Sequence, residues 1–196
     1  MPFSWKSSPK KALAPSYRRA ATKSPLVVVS TPAPSRKQQI LQTLAMELEN
    51  RPGDRITTAR LAEQLGLSEA ALYRHFKSKA AMFEALIEFA EDTVFGLTSR
   101  ILAEAGGPST RCQRILSMVL TFSDRNPGIS RILLGDSLVG EHGHLRIRSA
   151  QFFERVETQI RQILREADLG TGERASAPPP TVAALLVSVV EGRIVR

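Results

Sequence analysis

The sequence predicts an all-α protein, and three observations lead to this prediction. Apolar residues recur at steps of three and four positions through most of the chain after residue 35. These periodic segments are separated by Gly and Pro, as at Pro52-Gly53. No Asn-Gly or Asp-Gly pair joins two alternating apolar runs, so the sequence carries no signal for a β-hairpin.

The first two predicted helices follow directly from capping and periodicity. Ser35 is the predicted N-cap of a helix at residues 36–50. Thr57 or Thr58 caps a short second helix that stops at Gly66. Glycine suits that stop because it adopts the left-handed backbone conformation without steric cost. A tight turn is therefore expected after the second helix.

Two further helices start at serine caps. Ser68 precedes a third helix at residues 69–76, and an acidic residue in its first turn suits the helix dipole. Ser78 precedes a long fourth helix at residues 79–104 with one broad apolar face. Four more helical segments are predicted at residues 110–125, 129–139, 145–167 and 181–195.

Positive charge is concentrated at the N-terminal end. Residues 1–80 contain 14 Lys and Arg against 5 Asp and Glu, whereas residues 81–196 contain 13 against 14. Such asymmetry is typical of a chain that meets a polyanion with one end. Nucleic acid is the favoured polyanion, and anionic lipid stays a possibility.

Three regions are predicted along the chain. Residues 1–34 carry six Lys and Arg, no acidic residue and six prolines, a composition that indicates a disordered basic tail. This tail is either a basic arm that attracts phosphates or a solvated extension. Residues 35–80 form a DNA-binding domain, and residues 81–196 form a helical dimerisation and partner-binding domain.

Composition excludes several classes of protein. A lone cysteine, Cys112, cannot form a disulfide within the chain, and no Cys/His pattern has zinc-finger spacing. The apolar run at residues 26–29 is far too short to span a bilayer, so we expect a cytoplasmic protein without a membrane segment. His142 and His144 have no obvious third ligand, which favours a surface position over a metal site.

The segment at residues 58–76 has the features of a helix-turn-helix. Ala62 is small where two helices would cross closely, and Gly66 lies at the turn. Its predicted core residues are the leucines Leu61, Leu65, Leu67 and Leu72. Together with the basic charge, this pattern predicts DNA binding. The aromatic residues Phe76 and Phe83 are predicted to belong to the core of this unit rather than to contact bases.

At these residues the sequence resembles the TetR-type regulators. The stretches that carry the resemblance are Ile56-Thr57-Thr58-Ala59-Arg60-Leu61-Ala62, Gly66-Leu67-Ser68-Glu69-Ala70-Ala71-Leu72-Tyr73-Arg74-His75-Phe76 and Ser78-Lys79. Within that group, later stretches are similar to the nucleoid occlusion factors, which inhibit bacterial cell division. These stretches are Leu86-Ile87-Glu88-Phe89, Arg125-Asn126-Pro127-Gly128, Arg131-Ile132-Leu133 and Phe153-Glu154-Arg155-Val156-Glu157. The resemblance covers about residues 36–196 and implies a TetR-like fold that binds palindromic DNA.

Chemistry and the resemblance agree on the roles of the third helix. It is expected to lie in the major groove, with Ser68, Glu69 and Ala70 nearest the base edges. Ala70 can touch a thymine methyl group, and Glu69 can accept a hydrogen bond from cytosine.

The remaining predicted DNA-binding residues flank that helix. Thr57 or Thr58 and Lys79 are expected to contact phosphates beside helix N-termini, and the resemblance implies backbone contacts for Tyr73 and His75. The predicted flanking set is Arg36, Lys37, Thr57, Thr58, Tyr73, Arg74, His75, Lys77 and Lys79.

The resemblance also implies two protein partners. One is a second copy of this chain, for which the apolar segments 152–164 and 182–190 are the candidate interface. Their alternative role is core within one chain, and part of each must have that role. The chain stops at Arg196, before the last helix that normally completes the family's dimer, so weak dimerisation is expected.

The other implied partner is the division protein FtsZ. The positions that match the family's contact surface are Phe89, Arg125 and Asn126, while Leu97 and Thr121 depart from the family pattern. An apolar groove with a cation at its rim would suit an acidic extended segment. Phe89 as plain core and Arg125 as plain helix C-cap stay open as alternatives.

Two other functions compete with this hypothesis. A ligand-gated TetR-type repressor would need an enclosed pocket with convergent polar groups. An enzyme is not expected, because the sequence has no phosphate-binding glycine loop, nucleophile elbow or zinc-protease helix. No cofactor is predicted.

Overall fold

The computed structural model describes residues 35–138, 143–171 and 177–195. Residues 1–34, 139–142, 172–176 and 196 lie outside the described ranges. The predicted basic tail and His142 therefore lie outside the described residues.

The described residues form eight α-helices and no strand, which confirms the all-α prediction. The helices are α1 (Arg36–Asn50), α2 (Thr58–Gln64), α3 (Glu69–His75), α4 (Lys79–Ala103), α5 (Pro108–Arg125), α6 (Pro127–Leu133), α7 (Gly143–Thr171) and α8 (Pro179–Val195). A short 3₁₀ helix, Asp136–Leu138, follows α6.

The N-terminal helices begin at the residues that the sequence indicates. Ser35 caps α1 in a reciprocal arrangement with Gln38, in which each side chain accepts from the other residue's backbone N–H. Of the two threonines before α2, Thr57 is the cap, because its side chain accepts from the Arg60 N–H. Gly66 has φ of +62°, the left-handed conformation expected at this turn.

The prediction for α6 was wrong in length. A helix at residues 129–139 was expected, whereas α6 is Pro127–Leu133 and ends in a turn at Gly135, where φ is +83°. That backbone conformation does not continue a right-handed helix. Pro127 at the first helical position also explains why α6 begins earlier than predicted.

The three short N-terminal helices share a core with α4. Leu44 of α1, Leu61 of α2 and Leu72 of α3 are 0–1% exposed and belong to one apolar cluster. Phe76 and Phe83 are 9% and 0% exposed in the same cluster, which confirms their prediction as core residues.

The apolar residues of α7 and α8 differ in their exposure. On α7 the large side chains from Phe152 to Ile163 are core of the chain itself; they are Phe152, Phe153, Val156, Ile160 and Ile163. On α8, Leu185 and Val189 are 64% and 63% exposed. They are four residues apart and therefore lie on the same face of the helix. The candidate interface predicted at residues 152–164 is thus mostly intramolecular core, and α8 keeps an exposed apolar face.

Helix α6 packs against α1 and also against α4, α5 and α7, which together with α8 form the body of the molecule. Gly128 lies so close to α1 that a Cβ atom there would overlap the carbonyl oxygen of Ala45. The Arg131 guanidinium donates to the Leu48 carbonyl oxygen at 2.7 Å, across 83 positions of sequence. These contacts fix α1 relative to α6.

Candidate nucleic-acid interface

Helix α3 exposes four of its seven residues and has two more that are half-buried. Leu72 is its one fully buried residue, and Ser68, Glu69 and Ala70 at its N-terminal end are exposed. The Ser68 hydroxyl oxygen accepts from the Ala71 N–H at 3.1 Å, which caps the helix. The residues predicted to meet base edges are therefore exposed, and they lie at the capped start of the helix.

A hydrogen-bonded group connects the start of α2 with α3. The Thr58 hydroxyl donates to Glu69 Oε2 at 2.6 Å, and the Tyr73 hydroxyl donates to Thr58 Oγ1 at 3.4 Å. Glu69 and Tyr73 are four residues apart and so share one face of α3. The structure thus brings together three residues that were predicted separately for DNA binding.

Several of the predicted cations have contacts of their own within the N-terminal helices. Lys37 has its ammonium 5.9 Å from the centroid of the Phe76 ring, and Lys79 has its ammonium 5.5 Å from that of Phe83. Arg36 donates to the Gln39 side chain at 2.8 Å. Of the other predicted residues, Arg74 and Lys77 are exposed, and His75 is half-buried.

The net charge of the described DNA-binding end is positive. Residues 35–80 contain eight Lys and Arg against five Asp and Glu. One of those acids, Glu47, is 6% exposed and faces Arg60, so it contributes little negative potential to the surface. The remaining balance favours an anionic partner such as a phosphate backbone.

A buried polar contact that the sequence analysis missed orients α2. Glu47 on α1 accepts from the Arg60 guanidinium, Nε to Oε2, at 3.0 Å and also accepts from the Gln64 side-chain amide. These partners lie 13 and 17 positions away, so no local pattern signals the contact. The one hint in the sequence was a glutamate three residues after Leu44, on the otherwise apolar face of α1.

The second predicted surface lies where α4 meets the end of α5. The half-buried Phe89 ring lies 6.4 Å from the Phe122 ring, measured between centroids. Asn126 donates from its side-chain amide to the Phe122 carbonyl oxygen at 2.8 Å, and Arg125 is exposed in the last turn of α5. Phe89 and Asn126 therefore both lie near Phe122, and Arg125 directly precedes Asn126 in the sequence.

Further along the same two helices is an open cleft of about 620 Å³. Leu97 and Met118 line it, and Leu97 is 38% exposed. A second open cleft, of about 440 Å³, lies between α4 and α7 and is lined by Phe95, Thr98 and Arg155 among others. Both face solvent, unlike the enclosed pocket expected of a ligand-gated repressor.

From the sequence, His144 is a possible metal ligand and Cys112 a possible nucleophile. His144 Nε2 lies 2.7 Å from Glu84 Oε1. Cys112 is buried, and desolvation raises the pKa of its thiol, the opposite of what activates a nucleophile.

Within the described ranges, no cluster of three His, Cys, Asp or Glu could hold a metal ion. No helix there is both long and apolar enough to cross a membrane.

Two family models match the chain. Residues 40–86 match a model described as bacterial regulatory proteins of the tetR family. Residues 108–196 match the SlmA-like model described as a tetracyclin repressor-like C-terminal domain. Both models describe regulators, and the chain accordingly belongs among DNA-binding regulators rather than enzymes.

Solved structures support the same fold. The MbdR regulator from Azoarcus sp. CIB superposes with a TM-score of 0.68 at 18% identity, covering 80% of this chain and 83% of that one. PfmR from Thermus thermophilus, a TetR family transcriptional regulator, gives a TM-score of 0.68 at 21% identity, covering 80% and 84%.

Much higher identity is found with curated relatives. The nucleoid occlusion factor SlmA of Alteromonas mediterranea is 54% identical over 160 residues, 82% of either chain. That of Colwellia psychrerythraea is 52% identical over 161 residues, 82% of this chain and 81% of the relative. With this identity over most of its length, the chain belongs to the nucleoid occlusion factor SlmA family of TetR-type regulators.

Proposed function

We propose that this chain binds duplex DNA through α3 and, when bound, engages FtsZ and blocks division septum assembly over the nucleoid. The observation that carries the DNA-binding part is the exposed N-terminal end of α3, which is hydrogen-bonded to α2 and belongs to a segment of net positive charge. Family membership supports the division-related part. The protein would accordingly be associated with the nucleoid.

The proposal includes a two-fold homodimer. Leu185 and Val189 form an exposed apolar face on α8, and such a face is best covered by a second copy of the same surface. A dimer of this kind would place its two α3 helices about 34–36 Å apart, one turn of B-DNA. The expected binding site is then a palindrome.

The proposed FtsZ surface consists of Phe89, Arg125 and Asn126. Phe89 offers a half-buried ring packed near Phe122, and Arg125 offers an exposed cation one turn after Phe122 on α5. The cleft lined by Leu97 and Met118 continues this surface along α4 and α5. An extended segment with acidic and apolar side chains would fit both features.

Co-sedimentation of FtsZ polymers tests this proposal. We expect the full chain to reduce the pelleted polymer when a selected palindromic duplex is present, and to have a much smaller effect without DNA. Phe89→Ala and Arg125→Glu should abolish the reduction while DNA binding is retained. Arg165→Glu changes an exposed arginine on α7 and should behave as the unchanged protein.

The same assay distinguishes the proposed function from the alternative, a ligand-gated TetR-type repressor. A repressor of that kind would leave FtsZ polymers unchanged in the presence of DNA, and a small inducer would release it from the duplex. Unchanged sedimentation in the presence of a duplex that the chain demonstrably binds would contradict the FtsZ part of the proposal alone.

A further inference from the structure

The hydroxyl of Thr58 lies between two residues of the proposed recognition helix. It is 2.6 Å from Glu69 Oε2 on one side and 3.4 Å from the Tyr73 hydroxyl on the other. Thr58 belongs to α2, whereas Glu69 and Tyr73 belong to α3. The contact therefore ties the start of one helix to the outer face of the next.

The direction of each hydrogen bond follows from the chemistry of the groups. An ionised carboxylate only accepts, so Thr58 must donate its single O–H to Glu69. Its oxygen is then available to accept from Tyr73. All donors in the group point toward the carboxylate, an arrangement in which each bond strengthens the next.

The two threonines at the start of α2, Thr57 and Thr58, differ in whether their hydroxyl groups can still bind a phosphate. A phosphate oxygen also only accepts, so Thr58 would have to release Glu69 in order to bind one. Thr57 is exposed, and its hydroxyl oxygen accepts from the Arg60 N–H, which leaves its own O–H for a phosphate. Thr57 is the better phosphate contact of the two.

We propose that Thr58 is a positioning residue that holds the Glu69 carboxylate in the orientation that accepts from the amino group of a cytosine in the major groove. The inference rests on the proposed DNA-binding function and adds a specificity determinant to it. Thr58 acts through Glu69 and does not itself contact a base.

The need for such positioning is electrostatic and entropic. A carboxylate that enters the groove is repelled by the phosphates, and a free glutamate side chain would turn away from them toward solvent. Glutamate also loses considerable rotamer freedom when it is ordered. A hydrogen bond from Thr58 to Oε2 restricts the side chain before DNA arrives and leaves Oε1 to accept from the base.

Selection from a library of randomised duplexes tests the inference with the full chain. The unchanged protein is expected to enrich cytosine at one position of each half-site, and Glu69→Ala should remove that preference and so locate the position. Thr58→Val, which replaces the hydroxyl by a methyl group of similar size, should reduce the cytosine preference there about tenfold, within the range of a good base contact.

Two controls distinguish positioning from a general structural effect. Thr58→Ser restores the hydroxyl and should keep the cytosine preference within about threefold of the unchanged protein. Thr110→Val makes the same substitution at an exposed threonine of α5, and should leave the whole profile unchanged. Preferences at the other positions of the half-site serve as an internal reference for Thr58→Val.

The outcomes separate this inference from the proposed function. If Thr58→Val keeps the cytosine preference that Glu69→Ala removes, or if Glu69→Ala alters no position, the positioning role is wrong while DNA binding stands. If the unchanged protein enriches no sequence and binds no duplex at low salt, the proposed function and this inference are both overturned.

Discussion

Helices α3 and α7 use their side chains in opposite ways. Helix α3 has seven residues, of which only Leu72 is buried, and five of the other six are proposed to meet DNA. Helix α7 spans Gly143–Thr171 and buries large apolar side chains such as Phe152 and Ile160 against α4, α5 and α8.

The difference shows how a short helix can be ordered without a core of its own. An isolated helix of seven residues is not stable in water, so α3 depends on one buried leucine, its cap and its contacts with α2. Helix α7 has far more buried surface and depends on no single contact. The exposed side chains of α3 are therefore held in place by the contacts that this helix makes with the rest of the molecule.

The largest expected effect comes from truncating Leu72, the one buried side chain of α3. Leu72→Ala should lower the free energy of unfolding by about 2–5 kcal/mol, because Leu72 is 0% exposed and its loss leaves a cavity. Urea unfolding followed by circular dichroism measures the change. Leu169→Ala makes the same substitution on α7 at a residue 88% exposed, and should change stability by no more than about 0.5 kcal/mol. Equal effects of the two substitutions would contradict the comparison.

The second effect tests the contact between the DNA-binding end and the body. Gly128→Ala should destabilise the protein by about 1–3 kcal/mol, because the new Cβ would overlap the Ala45 carbonyl oxygen and force α6 away from α1. Gly96→Ala is the matched control on α4, where a Cβ meets nothing within 4 Å. Alanine there should stabilise the helix by about 0.5–1 kcal/mol. Thermal unfolding of both variants gives the sign of each change.

A third prediction concerns charge rather than packing. Lys77 is exposed next to α3, and if it neutralises one phosphate per subunit, Lys77→Ala should reduce the slope of log affinity against log salt by about 0.9 per subunit, or about 1.8 for the proposed dimer on one duplex. Arg100→Ala removes an exposed cation near the other end of α4 and should leave the slope unchanged. Fluorescence anisotropy on a labelled duplex at several salt concentrations measures both. A slope that drops equally in the two variants would place the phosphate contacts elsewhere.

The smallest expected effect is on the pH dependence of stability and comes from Glu191 on α8. Burial, with a further contribution from nearby Glu157, raises the pKa of Glu191 above its ordinary value. A raised carboxyl pKa means that the folded state holds its proton more tightly, so this group's stabilisation is present at acidic pH and is lost as pH rises through the folded pKa.

Glu191→Gln should therefore stabilise the protein slightly at pH 7, by no more than about 0.5 kcal/mol given the screening by solvent. The gain should vanish at a pH below the ordinary pKa of glutamate, where the unchanged side chain is also neutral. Melting temperatures of both proteins across pH 4–8 would reveal the trend, and a gain that grew toward acid would have the wrong sign.

Much of the DNA-binding end was predictable because its signals are local. Ser35, Ser68 and Ser78 each cap a helix, and each lies within three residues of the backbone N–H that it binds. Gly66 was expected in the left-handed conformation for an equally local reason. The exposed character of Ser68 and Glu69 also follows from the polar face of α3.

The sequence was a poorer guide wherever one helix meets another. The apolar stripe of α7 suggested a subunit interface as readily as a core, and only the packing of α4, α5 and α8 shows that Phe152 and its neighbours are core. For α6, the apolar pattern continued past Leu133, but the chain turns at Gly135.

The sequence alone thus determined the helical class, the helix starts and the basic helix-turn-helix, since these depend on residues within about one turn of each other. Tertiary structure decided which partner each exposed or buried group takes. Thr58 meets Glu69 across 11 positions, and Arg131 meets Leu48 across 83. Contacts at such separations depend on how helices are placed against one another, which no local periodicity encodes.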